Sequence, residues 1–128
     1  MNLNFELNQP IYQQIIDIIT LKIANGEYNA GTKILSVRDF AKEYGVNPNT
    51  VQKALSMLEE LGFLYSEGTS GRYVTKDCKL IEELKTQIPK RIIENFILEM
   101  EAVGIKQHAI IDYISPYLKI TERGETND

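Results

Sequence analysis

Between Ser36 and Lys53 the chain sets the amides of Asn47, Asn49 and Gln52, the hydroxyls of Ser36 and Thr50, and the cations Arg38 and Lys53 within a short span. These groups donate and accept hydrogen bonds; none is a nucleophile paired with a base. Asn and Gln match the paired donor and acceptor on an adenine edge, Arg matches a guanine edge or a phosphate, and Lys suits a phosphate as a point charge. A second cluster follows at Ser70-Gly71-Arg72, where a hydroxyl and a cation flank a glycine that lets backbone approach a groove. Elsewhere the chain lacks the marks of catalysis. It has no glycine-rich phosphate loop and no clustered metal ligands, and Cys78 and His108 each stand alone. No metal or cofactor is expected, and the chain is not expected to be an enzyme.

Two short helices joined by a tight turn would position the first cluster. Ser36 caps the first helix, with Asp39 three residues on completing a capping box, and Phe40 and Ala41 face inward. Gly45 supplies the left-handed residue that ends it, and Val46 turns back to the core. Asn47 caps the second helix and Pro48 takes its first position, where a missing N–H costs nothing. Val51, Ala54, Leu55, Leu58 and Leu61 recur at helical spacing as the buried stripe, which leaves Asn49, Thr50, Gln52, Lys53 and Ser56 on the open side. This is the grammar of a helix-turn-helix with its recognition helix second.

The flanking segments complete a domain over residues 1–76. Leu3, Phe5 and Leu7 alternate along an extended N-terminal arm. Pro10 opens a helix with Ile11, Ile15, Ile18, Ile19 and Ile23 inward, ended by Asn25-Gly26. After Gly62, residues 63–66 and 72–75 read as two strands around the turn-rich tip 67–71, a wing. Tyr44 and Tyr65 read as packing residues.

Residues 10–74 resemble the winged helix-turn-helix of GntR-family bacterial transcription regulators. The resemblance rests on Pro10-Ile11-Tyr12-Gln13-Gln14-Ile15, the Gly26 and Gly31 loop, residues 33–41, 45–54 and 58–64, and Gly71-Arg72-Tyr73-Val74. Leu35 departs from the proline usual before the serine. The arginine that several members carry near Pro48 or Gln52 is absent, which implies a different base preference and weaker phosphate contact. The resemblance implies DNA contacts by Ser36, Arg38, Asn47, Asn49, Thr50, Gln52 and Lys53, and at the wing by Ser70, Gly71 and Arg72.

Residues 77–128 read as a two-helix tail. Leu80, Ile81, Leu84 and Ile88 share one face, and Ile92, Ile93, Phe96, Ile97, Met100 and Val103 continue it beyond Pro89, which either kinks or splits the helix. After Gly104, a last helix over 105–117 carries Ile105, Ala109, Ile110, Tyr113, Ile114 and Tyr117 inward, and 121–128 reads as polar and frayed. So wide an apolar stripe calls for a partner. A second copy is the expected one, meeting through Leu84, Ile88, Ile92, Phe96, Ile97, Met100, Ile110, Tyr113, Ile114 and Tyr117. A short tail of this kind is similar to that of the YtrA-like branch of the family, whose tails pair into homodimers.

The expected fold is therefore mostly α (α+β): an N-terminal winged helix-turn-helix with a β-hairpin wing, then a short helical dimerisation tail. The expected function is that of a DNA-binding regulator, a repressor on double-stranded inverted-repeat operator DNA. A crevice at the tail leaves room for a small-molecule effector of undefined identity. Charge complicates this reading. The net charge is −4, and residues 1–78 and 79–128 each hold seven Lys and Arg against nine Asp and Glu. Any affinity for DNA must come from a local patch and from pairing of copies. The acidic balance keeps a rival open, a winged helix used as a protein-protein adaptor. No apolar run approaches a membrane span, and one cysteine excludes an internal disulfide, so a cytoplasmic location is expected.

Overall fold

A computed structural model describes residues 9–119; the expected N-terminal arm and the frayed end from 121 lie outside the described residues. The order is α1 (Ile11–Ala24), α2 (Val37–Tyr44), α3 (Pro48–Glu60), β1 (Leu64–Ser66), β2 (Arg72–Val74), α4 (Cys78–Ala102), α5 (Gln107–Ile114) and a 3-10 turn at Ser115–Tyr117. The chain divides into two compact units, Met1–Ile88 and Pro89–Asp128.

In the first unit α1, α2 and α3 pack around a core that includes Ile15, Ile19, Ile23, Phe40, Val51, Leu55 and Leu58. In α1, Ile15, Ile18, Ile19 and Ile23 are buried as expected; Ile16 joins them, and Ile11 at the helix start is 39% exposed. Gln14 and Thr20 are buried too; the Thr20 hydroxyl donates to the Ile16 carbonyl, 3.0 Å.

The turn between α2 and α3 forms as its residue types dictate. Ser36 Oγ accepts from the Asp39 N–H (3.1 Å), the half of a capping box that the structure contains. Gly45 is left-handed at φ +67°, which lets the Val46 N–H reach back to the Ala41 carbonyl. Asn47 Oδ1 then accepts from the Asn49 N–H at 2.7 Å, and Pro48 opens α3. Leu61, expected in the buried stripe, sits at the C-cap and is 56% exposed, because α3 ends one residue before it. Leu35, where the family carries proline, packs against the core.

The hairpin pairs Leu64 with Val74, Tyr65 with Tyr73 and Ser66 with Arg72. Lys33 adds an antiparallel bridge to Tyr73, flanked by backbone bonds from the Val74 N–H to the Thr32 carbonyl and from the Ile34 N–H to the Arg72 carbonyl. The segment after α1 is thus a third edge of the wing. Sequence reading missed it because a three-residue edge carries no alternation to detect.

Helix α4 begins over Asp77, whose carboxylate accepts from the N–H groups of Lys79 and Leu80. Leu84 and Ile88, expected at a dimer interface, are instead 8% and 7% exposed and belong to the core of the winged domain. The first compact unit accordingly runs to Ile88 and takes in the start of α4. The helix continues through Pro89 without a break. The carbonyl that loses its helical donor there belongs to Lys85, at an exposed position where solvent can replace it. In the second unit, α5 is shorter than expected and gives way to the 3-10 turn at Ser115-Pro116. Of the residues placed inward there, Ile110 is buried, whereas Tyr113 and Tyr117 are exposed. Among the described residues no helix is long and apolar enough to cross a membrane.

Because Leu84 fills the winged core, Leu84→Ala should lower the unfolding free energy by about 2–5 kcal/mol in urea titrations. Glu83→Ala, one residue away and exposed, should change it by less than about 0.5 kcal/mol.

Candidate nucleic-acid interface

Helix α3 has two unlike sides. Val51, Ala54, Leu55 and Leu58 are fully buried against the rest of the winged domain. Asn49, Gln52 and Lys53 are exposed, and Thr50 and Ser56 half-exposed, on the side turned away. Gln52 Nε2 donates to Ser56 Oγ at 3.1 Å, so the amide is held along the helix. Lys53 extends from α3 to α1, with Nζ 3.9 Å from the centre of the Tyr12 ring. A cation over an aromatic face is held by the ring quadrupole without losing its charge. The Lys53–Tyr12 contact was not visible in sequence, because the two residues meet only once α1 packs on α3.

Around the N-terminus of α3, polar and basic groups rim an apolar floor. Asn47 is engaged as a cap through its Oδ1. Arg38 is exposed in the first turn of α2 and forms no ion pair with Asp39 or Glu43. Arg38 and Lys42 border an open hollow of about 550 Å³ between α2 and the start of α3, floored by Val37, Ala41, Val46 and Pro48. Ser36 is exposed beside it as the cap of α2. Tyr44 is a packing residue: its ring stacks on Phe40 at 4.4 Å, and its hydroxyl accepts from Lys22 Nζ at 3.2 Å. Lys22 also pairs with Glu27 at 3.1 Å, joining α1 to its following loop.

The wing tip, residues 67–70, is exposed and held by bonds from the Ser70 N–H to the Glu67 carbonyl and from the Glu67 N–H to the Gly71 carbonyl. Arg72, expected among the DNA contacts at the wing, is engaged within the protein. Its Nε donates to Glu59 Oε1 at 2.7 Å, and Ser66 Oγ donates to the same oxygen at 2.9 Å. One carboxylate at the end of α3 thereby binds both strands of the wing. The Arg72 hydrogen bond, opposed by partial burial and aided by Ser66, holds the Glu59 carboxyl below the usual carboxylate range. Among the described residues no group of His, Cys, Asp and Glu is arranged to hold a metal.

An exposed polar recognition helix, a capped turn before it and a strapped hairpin after it define a winged helix-turn-helix DNA-binding module. The family model for bacterial regulatory proteins of the gntR family matches residues 11–74. The HTH-type transcriptional repressor YtrA of Bacillus subtilis is 31% identical over 121 residues, covering 93% of this chain and 92% of YtrA. A GntR family transcriptional regulator from Listeria monocytogenes superposes with a TM-score of 0.75 at 42% identity, over 88% of this chain and 98% of that one. The DNA-binding domain of AraR, solved in complex with operator ORX1, superposes with a TM-score of 0.52 at 28% identity, over 59% of this chain and 90% of that one. The chain belongs to the GntR family of DNA-binding transcription regulators, on its YtrA-like side, and so to a family of regulators rather than enzymes.

The Glu59 strap carries a pH signature. Its carboxyl titrates lower in the folded chain than the ~4.3 of a free glutamate, so its contribution is complete above that value and disappears as pH falls through the lower folded value. Melting curves of wild type and Glu59→Gln should therefore differ most at neutral pH, with wild type higher, and converge in acid.

Proposed function

We propose that this chain is a transcriptional repressor that binds an inverted-repeat operator as a homodimer, in the cytoplasm. The observation that carries the DNA reading is the division of α3, sealed on its apolar side and open along Asn49, Gln52 and Lys53. An α-helix fits the major groove, where Asn49 and Gln52 would bond base edges and Thr50 and Lys53 would meet the sugar-phosphate wall. Ser36, Arg38 and the Asn47 turn would contact the flanking phosphates, and the backbone at Ser70-Gly71 would approach the neighbouring groove. The ring under Lys53 limits its freedom and aims it. Repression is the sign supported by the name of YtrA, and an operator as target is supported by the AraR complex. Occupancy of a promoter would exclude polymerase.

Pairing of copies is supported by the tail. On α4, Ile92, Phe96, Met100 and Val103 with Asn95 and Glu99 line an open groove of about 510 Å³. Ile92, Ile93, Leu98 and Val103 are each more than half exposed, as are Ile111, Tyr113 and Tyr117 beyond α4. Exposed apolar surface of this kind is costly in water and is relieved by a self-complementary contact. Two-fold symmetry would then set two α3 helices one turn of duplex apart, roughly 34 Å. Pairing also answers the charge problem, since each copy adds its own local patch to one duplex.

Selection of bound fragments from a random duplex library with the purified chain should return an inverted repeat. Asn49→Ala with Gln52→Ala should lose its enrichment, each substitution weakening the selected site by about 1–3 kcal/mol in gel-shift titrations. Enrichment unchanged by both substitutions would refute the placement of α3. Phe96→Asp should convert a sedimenting dimer to a monomer; an intact dimer would reject the tail groove as the seam.

A further inference from the structure

The wing has two faces of different electrical character. Side chains at paired positions of a sheet share a face, and successive residues alternate. Leu64 and Val74 are buried on the inner face, where Arg72 is also neutralised by Glu59. The outer face carries Tyr65 opposite Tyr73, rings 5.8 Å apart and 25° from parallel, with Lys33 bridged to Tyr73. Ser70 Oγ and the Tyr73 hydroxyl lie 2.9 Å apart, which ties the tip to this tyrosine pair.

Two lysines are seated on that face by glycines. Gly71 has φ +134°, a backbone conformation that favours glycine, and the Lys33 stem passes beside it, its Cε 2.8 Å from where a Cβ would stand. A Cβ at Gly31 would meet Lys76 Cε at 3.3 Å, and Lys76 Nζ lies 5.9 Å from the centre of the Tyr65 ring. Both lysines are exposed, and neither enters an ion pair among the described residues. In a chain of net charge −4, these two cations, with the Lys33 stem against Gly71 and the Lys76 head near the Tyr65 ring, form a local positive surface.

We propose that this outer face of the wing binds the phosphate backbone of the duplex through Lys33 and Lys76, and that Arg72 serves as the strut that holds the wing to α3. The inference rests on the DNA-binding reading above and adds to it the source of the wing's affinity. Lysine heads present point charges that track phosphates without reading sequence. Gly71 is then a seat for Lys33 as well as a turn residue.

The test is a salt titration of the full chain by fluorescence anisotropy on a mixed-sequence duplex. Removing one lysine–phosphate ion pair should reduce the slope of log affinity against log salt by about 0.9. Lys33→Gln and Lys76→Gln should each reduce the slope by about that amount, the double variant by about twice as much, and Lys33→Arg should restore the wild-type slope. Melting curves matching wild type show that the glutamine variants are folded. Wild-type slopes in folded Lys33→Gln and Lys76→Gln would overturn the proposal while leaving the α3 reading standing. Wild-type chain with no salt-dependent affinity for the duplex would overturn both.

Discussion

The packing of α3 on α1 is the constraint from which the rest follows. Val51, Ala54, Leu55 and Leu58 have no exposed surface, so the helix cannot roll about its axis without opening the core. That fixes the direction of every other residue on α3. The polar side is open because the apolar side is fully used, and the Tyr12 ring on α1 gives Lys53 a defined position on the same packing contact. Function on this helix is thus a consequence of a hydrophobic decision made on its opposite side.

The wing depends on α3 in a second, electrostatic way. Glu59 sits at the end of the recognition helix and accepts from one residue on each strand, Ser66 and Arg72. The pair is partly exposed, so its worth in stability is modest. Its consequence for charge is larger. Arg72 is matched on the inner face, whereas Lys33 and Lys76 enter no ion pair among the described residues. An acidic chain can present a basic surface when its carboxylates are placed to neutralise selected cations and leave others.

Much of the winged domain was legible in the sequence because its signals are local. Ser36, Gly45, Asn47 and Pro48 announce caps and a turn through residue chemistry that needs no distant partner, and the structure places all four as caps or turn residues. Long-range pairs were not legible. The partnership of Arg72 with Glu59 and of Lys53 with Tyr12 exists only after strands and helices are docked, and the third edge at Lys33 is too short to leave a pattern. The apolar stripe of α4 misled for a related reason. Leu84, Ile88 and Ile92 are chemically alike and evenly spaced, yet Leu84 and Ile88 complete the winged core while Ile92 is 57% exposed. Periodicity shows that a face is apolar; it does not show what covers it. Pro89 was similarly ambiguous, since an exposed helix tolerates the missing bond that a buried one would not.

The central claim is that the open side of α3 is the surface that meets the duplex. Side-chain amide signals of Asn49 and Gln52 in nitrogen-15 correlation spectra report that surface directly. On titration with the selected operator these signals should shift and broaden first, together with the backbone amides of residues 49–56. Saturating duplex that moves other surfaces and leaves Asn49 and Gln52 in place would contradict the claim.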